Sequence, residues 1–273
     1  MSARAVPALL LVGCGKMGGA LLSGWLERGL ADRIVVVEPG PGAAPFEARS
    51  AVDILTKAGP FPRDFRPAAV VLAVKPQDMA QVLPPYRRFV GEGALFLSIA
   101  AGKTLGFFAR ALGEEAAVVR AMPNTPAAIG RGIAVACANP RVAPEQRALA
   151  EQLLAAVGEV GWVEDEALID AVTAVSGSGP AYVFLLIECL AMAGMAAGLP
   201  EALAARLARA TVAGAGELAR RSPQSAERLR EDVTSPGGTT RAALDVLMAA
   251  DGLEPLLRRA VLAAAKRSRE LAD

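Results

Sequence analysis

Six residues near the start, Gly13-Cys14-Gly15-Lys16-Met17-Gly18, constrain the fold of this chain more than any others. They lie between a short apolar run, Ala8 to Val12, and an apolar-periodic stretch, Ala20 to Arg28. Strand, glycine turn and helix in that order open a strand-helix-strand unit. In such a unit the glycines permit a tight turn, bring backbone close to a diphosphate and let the helix pack on the strand. The helix N-terminus then faces the anion. An ordinary glycine-rich turn has the same spacing, so the surrounding pattern must carry the assignment. Gly13, Gly15, Lys16, Met17 and Gly18 are the candidate dinucleotide-binding residues.

The surrounding pattern repeats. Up to Val163, short β-branched runs alternate with helical stretches, with further strands expected at Arg33 to Val37, Ala69 to Val74, Ala94 to Ile99, Val118 to Met122 and Ile133 to Cys137. Near-continuous apolar runs suit strands covered on both faces, which predicts a parallel sheet. The Pro- and Gly-dense segment from Pro39 to Pro67 resists assignment. After Glu164, Ala, Leu, Arg and Glu dominate and strand-like runs disappear. The expected fold is α/β: a Rossmann-type dinucleotide-binding domain over residues 1–163, then an all-helical dimerisation and substrate-binding domain over 164–273.

Composition excludes several classes. A chain of 273 residues that is 53% apolar can bury a sizeable core. A net charge of +1 without long Lys/Arg blocks leaves no footprint for nucleic acid, so the expected partner is a small molecule. Cys14, Cys137 and Cys189 fit no metal or redox spacing, which predicts no metal site and a reducing, cytoplasmic location. Arg4 and the run from Val6 to Val12 have the outline of a secretory leader, but the run leads into a glycine motif that needs a strand before it. Ala181 to Leu199 approaches membrane-spanning length, yet it holds Glu188 and lacks cationic flanks, so a buried helix and no membrane partner are expected. Because Ala181 to Gly198 is apolar nearly all round, a small helical domain covers it best with a second subunit, which predicts a homodimer.

Ligands of open parallel sheets lie beyond the carboxyl ends of the strands, and three such ends carry candidates. Glu38 closes the second strand, where its carboxylate can accept hydrogen bonds from an adenosine ribose. No cation adjoins it to receive a 2′-phosphate, which favours NADH over NADPH; Arg49 and Arg63 are more distant alternatives. Ala73-Val74-Lys75-Pro76 places Lys75 where it can reach a ribose or phosphate, and Met122-Pro123-Asn124-Thr125-Pro126 forms a stiff loop suited to a nicotinamide. Either could instead start a helix. In the helical half, Asp232 to Thr240 contains Ser235-Pro236-Gly237-Gly238-Thr239-Thr240. A Gly-Gly pair leading into Thr-Thr at a helix start exposes free N–H groups and two hydroxyls, a receptor for a carboxylate. The plainer alternative is a helix cap with a flexible turn. Ser176-Gly177-Ser178-Gly179-Pro180 is similar but less specific.

In this order, these segments resemble pyrroline-5-carboxylate reductase: the glycine loop, Ala73-Val74-Lys75-Pro76, Ser98 to Gly102, Arg120 to Pro126, Ser176 to Tyr182, and above all Ser235 to Thr240. The resemblance covers essentially the whole chain. It implies a Rossmann-type domain, a helical dimerisation domain, dimers that can build larger rings, and reduction of 1-pyrroline-5-carboxylate to L-proline by NAD(P)H. It also implies that Thr240 is the catalytic group at the ring nitrogen, while Ser235 and the Gly237, Gly238 and Thr239 backbone hold the carboxylate. Glu38 departs from the small polar residue that many members carry there. The absence of histidine agrees with imine chemistry. A ketone reductase must protonate a developing alkoxide, whereas a cyclic imine can take its proton on nitrogen before hydride arrives. A β-hydroxyacid dehydrogenase would need a lysine on the helical domain, where only Lys266 is available. A non-catalytic dinucleotide-binding module would not need a second anion site.

Overall fold

The computed structural model describes residues 6–59, 61–62 and 64–272, so Arg4 and Arg63 lie outside the described residues. Two compact units emerge, Met1–Gly177 with Ala264–Asp273, and Ser178–Ala263.

The first unit is built on β1 (Val6–Val12), α1 (Lys16–Arg28), β2 (Ala31–Val37), β3 (Val52–Leu55), β4 (Ala69–Leu72), α2 (Met79–Val82), β5 (Leu95–Ser98), α3 (Leu105–Leu112), β6 (Val118–Met122), β7 (Gly132–Ala138), α4 (Pro144–Ala155), β8 (Gly158–Trp162) and α5 (Leu168–Val172). The sheet order is β3-β2-β1-β4-β5-β6-β7-β8. Chain direction of travel reverses beside β1, because β2 lies on one side and β4 on the other. That switch point is where a doubly wound sheet opens a crevice.

β1 serves both faces of the sheet. Leu9 and Leu11 join the core with Leu21, Leu22 and Trp25 of α1, while Ala8, Leu10 and Val12 join Tyr86, Phe89, Phe96 and Phe108 on the other side. This two-sided burial explains why the strand reads as an unbroken apolar run rather than an alternation. Trp25 is fully buried, and its indole N–H donates to the Leu153 carbonyl at 2.9 Å, fastening α1 to α4.

Three features differ from the sequence expectation. The sheet is mixed, because β6 and β7 pair antiparallel. Only residues 123–131 join them, too few for a parallel crossover. Two strands escaped the sequence pattern: β3 is a four-residue edge strand within the Pro/Gly-rich segment, and β8 carries two glycines that weaken its strand signature. The segment after β2 contains a 3-10 helix, Pro41–Phe46.

The second unit is helical: α6 (Gly179–Ala196), α7 (Glu201–Arg221), α8 (Ala226–Asp232), α9 (Thr239–Leu247) and the first part of α10 (Leu253–Glu270). The apolar segment forms α6, and no residue of it is buried within this chain alone, as expected if its cover comes from outside the chain. Val183, Phe184, Leu185, Leu186, Leu190 and Met192 are all exposed. Residues 168–196 are long and apolar enough to cross a membrane by length and composition alone.

Gly24 shows how tightly α1 is set. A Cβ there would lie 2.8 Å from the Ala156 carbonyl oxygen, a backbone atom that cannot swing aside. Gly24→Ala should therefore cost about 1 to 3 kcal/mol and lower Tm by roughly 2 to 12 °C. Gly19→Ala, whose Cβ would meet its neighbours at ordinary contact distances, is the control. Equal melting of the two variants would show that this close approach does not constrain the helix.

Candidate active site

The glycine loop leaves β1 through Gly13, whose φ of +90° only glycine adopts readily. A Cβ on Gly13 would stand 2.8 Å from the Ala73 carbonyl oxygen, and one on Gly18 would run into the Gly13 carbonyl. Gly15 is different, for nothing lies within 4 Å of where its Cβ would be. The outer glycines thus close the turn while the middle one keeps an approach open, which is the cradle a diphosphate requires. Gly15 is the N-cap of α1, and no side chain caps the helix. Its first backbone bond runs from Gly19 N–H to the Gly15 carbonyl at 2.8 Å, so the Lys16, Met17 and Gly18 amides have no acceptor within the helix. With no acidic residue in that turn and Lys16 at its head, the helix start favours an anion. These residues fit the diphosphate of a dinucleotide.

Glu38 follows β2 and is half-buried. Its carboxylate accepts the Cys14 amide at 2.6 Å and the Gly40 amide at 2.8 Å. One side chain therefore ties the glycine loop to the end of β2. Sequence reasoning placed Glu38 at the strand end but missed its bond to the loop. It also missed Gly42, where a Cβ would meet the Cys14 carbonyl. Paired prolines and glycines in the segment were the available signal.

Ala73 and Lys75 follow β4, one half-buried and the other exposed, and Lys75 with Pro76 starts a short 3-10 turn. Asn124, beyond β6, is a brace in its own loop, since its Oδ1 accepts the Ile133 N–H at 3.0 Å. Gly13 to Gly18, Glu38, Ala73, Lys75, Pro76 and Asn124 thus follow the carboxyl ends of β1, β2, β4 and β6.

In the second unit, Ser235 to Thr240 forms the turn into α9. Gly237 has φ +67°, and the Gly238 N–H donates to the Ser235 carbonyl at 3.1 Å. The N-cap is Gly238 itself, with no side chain capping the helix. Among the described residues, the Ser235, Thr239 and Thr240 hydroxyls make no hydrogen bond, and all three residues are exposed. The first backbone bond, Ala242 N–H to the Gly238 carbonyl, leaves the Thr239, Thr240 and Arg241 amides without an acceptor in the helix.

A family model described as pyrroline-5-carboxylate reductase dimerisation matches residues 166–271. Another, described as NADP oxidoreductase coenzyme F420-dependent, matches residues 8–102 and so includes the glycine loop. A pyrroline-5-carboxylate reductase of Pseudomonas aeruginosa is 40% identical over 269 residues, covering 98% of this chain and 97% of its own. The chain belongs to the pyrroline-5-carboxylate reductase family. A solved pyrroline-5-carboxylate reductase from Coxiella burnetii has a TM-score of 0.90 at 34% identity, covering 99% of this chain and 100% of its own. The Plasmodium falciparum reductase, solved with NADP bound, has a TM-score of 0.80 at 27% identity, covering 99% and 100%. The family thus accounts for both the Rossmann-type unit and the helical one.

Cys14 lies within the family's glycine loop, yet its thiol is held in reserve. Burial first, and then the Glu38 carboxylate, push its pKa from 9.0 up to about 11. The reactive thiolate forms only as pH climbs towards that value, so at pH 8 it is about a hundredfold scarcer than for an exposed thiol. In native protein at pH 8, mass spectrometry should find Cys14 alkylated far more slowly than in urea. Equal rates would contradict the buried setting.

Proposed function

We infer that this chain reduces 1-pyrroline-5-carboxylate to L-proline with a reduced nicotinamide dinucleotide, the last step of proline biosynthesis. The observation that carries the site assignment is the start of α9, a helix N-terminus with no side-chain cap and with unengaged Thr hydroxyls. That arrangement suits a substrate carboxylate on the Gly237-Gly238 turn and the Thr239 backbone, with Ser235 beside it, through charge-assisted hydrogen bonds. Thr240 then supplies the polar contact to the ring nitrogen. A bound nicotinamide supplies the hydride. The residues' own task is to orient the imine and hold its protonated nitrogen. NADH oxidation that depends strictly on added pyrroline-5-carboxylate tests the assignment; binding of NADH without such turnover would overturn it.

In this reading, residues 1–163 bind the dinucleotide and residues 164–273 serve the substrate and dimerisation. Support comes from β8, which ends at Trp162, and from the absence of strands after it among the described residues, although residues 164–177 and 264–272 pack with the first unit. A homodimer, able to build larger rings, covers the exposed apolar side chains of α6. Three free thiols suit a cytoplasmic location.

The cofactor we propose is NADH. The Glu38 carboxylate already faces the loop that receives the dinucleotide, and no cation pairs with it among the described residues. A 2′-phosphate there would meet like charge. Steady-state kinetics should give a kcat/KM for NADH about tenfold or more above that for NADPH. Equal or NADPH-favouring values would mean that Glu38 does not address the ribose, and would direct attention to Arg49.

Thr240→Val nearly preserves shape while removing the hydroxyl. A hydrogen bond to a charged group is worth roughly 1.5 to 3 kcal/mol, so kcat/KM should fall about ten- to a hundred-and-fifty-fold, with NADH affinity almost unchanged. Thr240→Ser should retain much of the activity, and Thr239→Val should do less damage than Thr240→Val. Full activity in Thr240→Val with loss in Thr239→Val would reassign the roles within the loop.

A further inference from the structure

The Ser176 to Pro180 motif has no part in the function described so far, but the structure gives it an unusual form. Residues Thr173–Gly177 make a π turn between α5 and α6. Such widened turns are rare and concentrate at functional sites. Two hydroxyls brace this one: Thr173 Oγ1 donates to the Ile169 carbonyl at 2.8 Å, and Ser176 Oγ to the Val172 carbonyl at 3.1 Å. Ala174 within the turn is fully buried, which anchors it to the first unit.

The turn brings Gly177 against Met122, the last residue of β6. A Cβ on Gly177 would stand 2.5 Å from Met122 Cε and 3.9 Å from Met122 Cγ. Gly177 does not have a positive φ, so its backbone would accept another residue. What glycine provides here is room for the methionine. Met122 runs directly into buried Pro123 and then Asn124, which is braced to Ile133. A proline fixes its own φ, so displacement of Met122 passes into the loop rather than being absorbed behind it. Methionine, with three rotatable side-chain bonds, would otherwise sample several positions.

We propose that Gly177 and Met122 are positioning residues: the π turn seats the Met122 side chain and thereby sets the Met122-Pro123-Asn124 loop for hydride transfer. The proposal rests on the reading that this loop lines the nicotinamide. Neither residue touches the reacting atoms in this scheme.

The test is a double-mutant cycle on the full-length protein. Gly177→Ala pushes on the far end of a flexible side chain, so the variant should fold, with its effect falling on the loop. Expected is a kcat about tenfold lower with the NADH Kd within about twofold, because small misplacements near the reaction are costly. The emission maximum of bound NADH should shift as well. Met122→Leu, nearly volume-conserving, should lower kcat by about threefold. Leu is shorter and does not reach the position of Met122 Cε, so combining the two gives the added methyl room and should bring kcat back to within about threefold of wild type. Wild-type turnover in Gly177→Ala, or losses that simply multiply in the double variant, would overturn the proposal. If Gly177→Ala does not fold, the double variant must fold and turn over, and failure of both would also overturn it. Asn124→Ala separates the two assumptions. If that change alters NADH emission and turnover while the cycle shows no coupling, the positioning contact falls alone. If it alters neither, the loop does not face the nicotinamide and both fall.

Discussion

Everything in the first unit depends on backbone meeting backbone at the end of β1. Gly13 lies against the Ala73 carbonyl and Gly18 against the Gly13 carbonyl, at distances where no side chain could be inserted. This contact brings α1 down onto the sheet, where Trp25 and Gly24 hold it against α4 and the following turn. It also leaves the start of α1 uncovered over Gly15, so close packing and an open helix start arise from the same omission of side chains. Glu38 adds a polar tie between the loop and β2. The consequence is a loop whose shape is set by close backbone contacts and core packing.

The helical unit follows a different rule. Its helices expose large apolar side chains that a chain of this kind cannot leave to water, and α6 has no buried residue within one copy. The turn into α9 is likewise formed by what is missing: at Gly238 the helix begins without a side-chain cap, although serine and threonine stand on both sides. The hydroxyls that could have capped the helix remain free for other work.

Legibility in the sequence followed the local physics. The six strands expected from apolar runs are all present, because two-sided burial writes itself into consecutive residues. The Ser235 to Thr240 loop was legible because glycine pairs and paired threonines are rarely combined at a helix start. Long-range pairing was not legible. The antiparallel β6–β7 pair follows from the length of the connection, and β3 is too short to show a period. The bond from Glu38 to Cys14 spans 24 residues and depends on the packing of the Pro41–Phe46 turn, which no residue pattern encodes directly. The apolar segment 181–198 announced both a helix and, by being apolar nearly all round, its need for a cover that a small helical domain does not supply.

The last helix has a consequence for how the protein is made. Residues from Ala264 onward belong to the first unit, where Ser268 donates to Asp170 at 2.6 Å and the Leu271 carbonyl sits against Gly102. The first unit is therefore built from segments on both sides of the helical unit in sequence. During synthesis, the sheet can assemble while the helical unit is still being translated, but the Asp170 and Gly102 surface must wait for residues 264–272 to emerge from the ribosome. Emergence of that segment, rather than completion of the sheet, sets the moment at which the first unit closes.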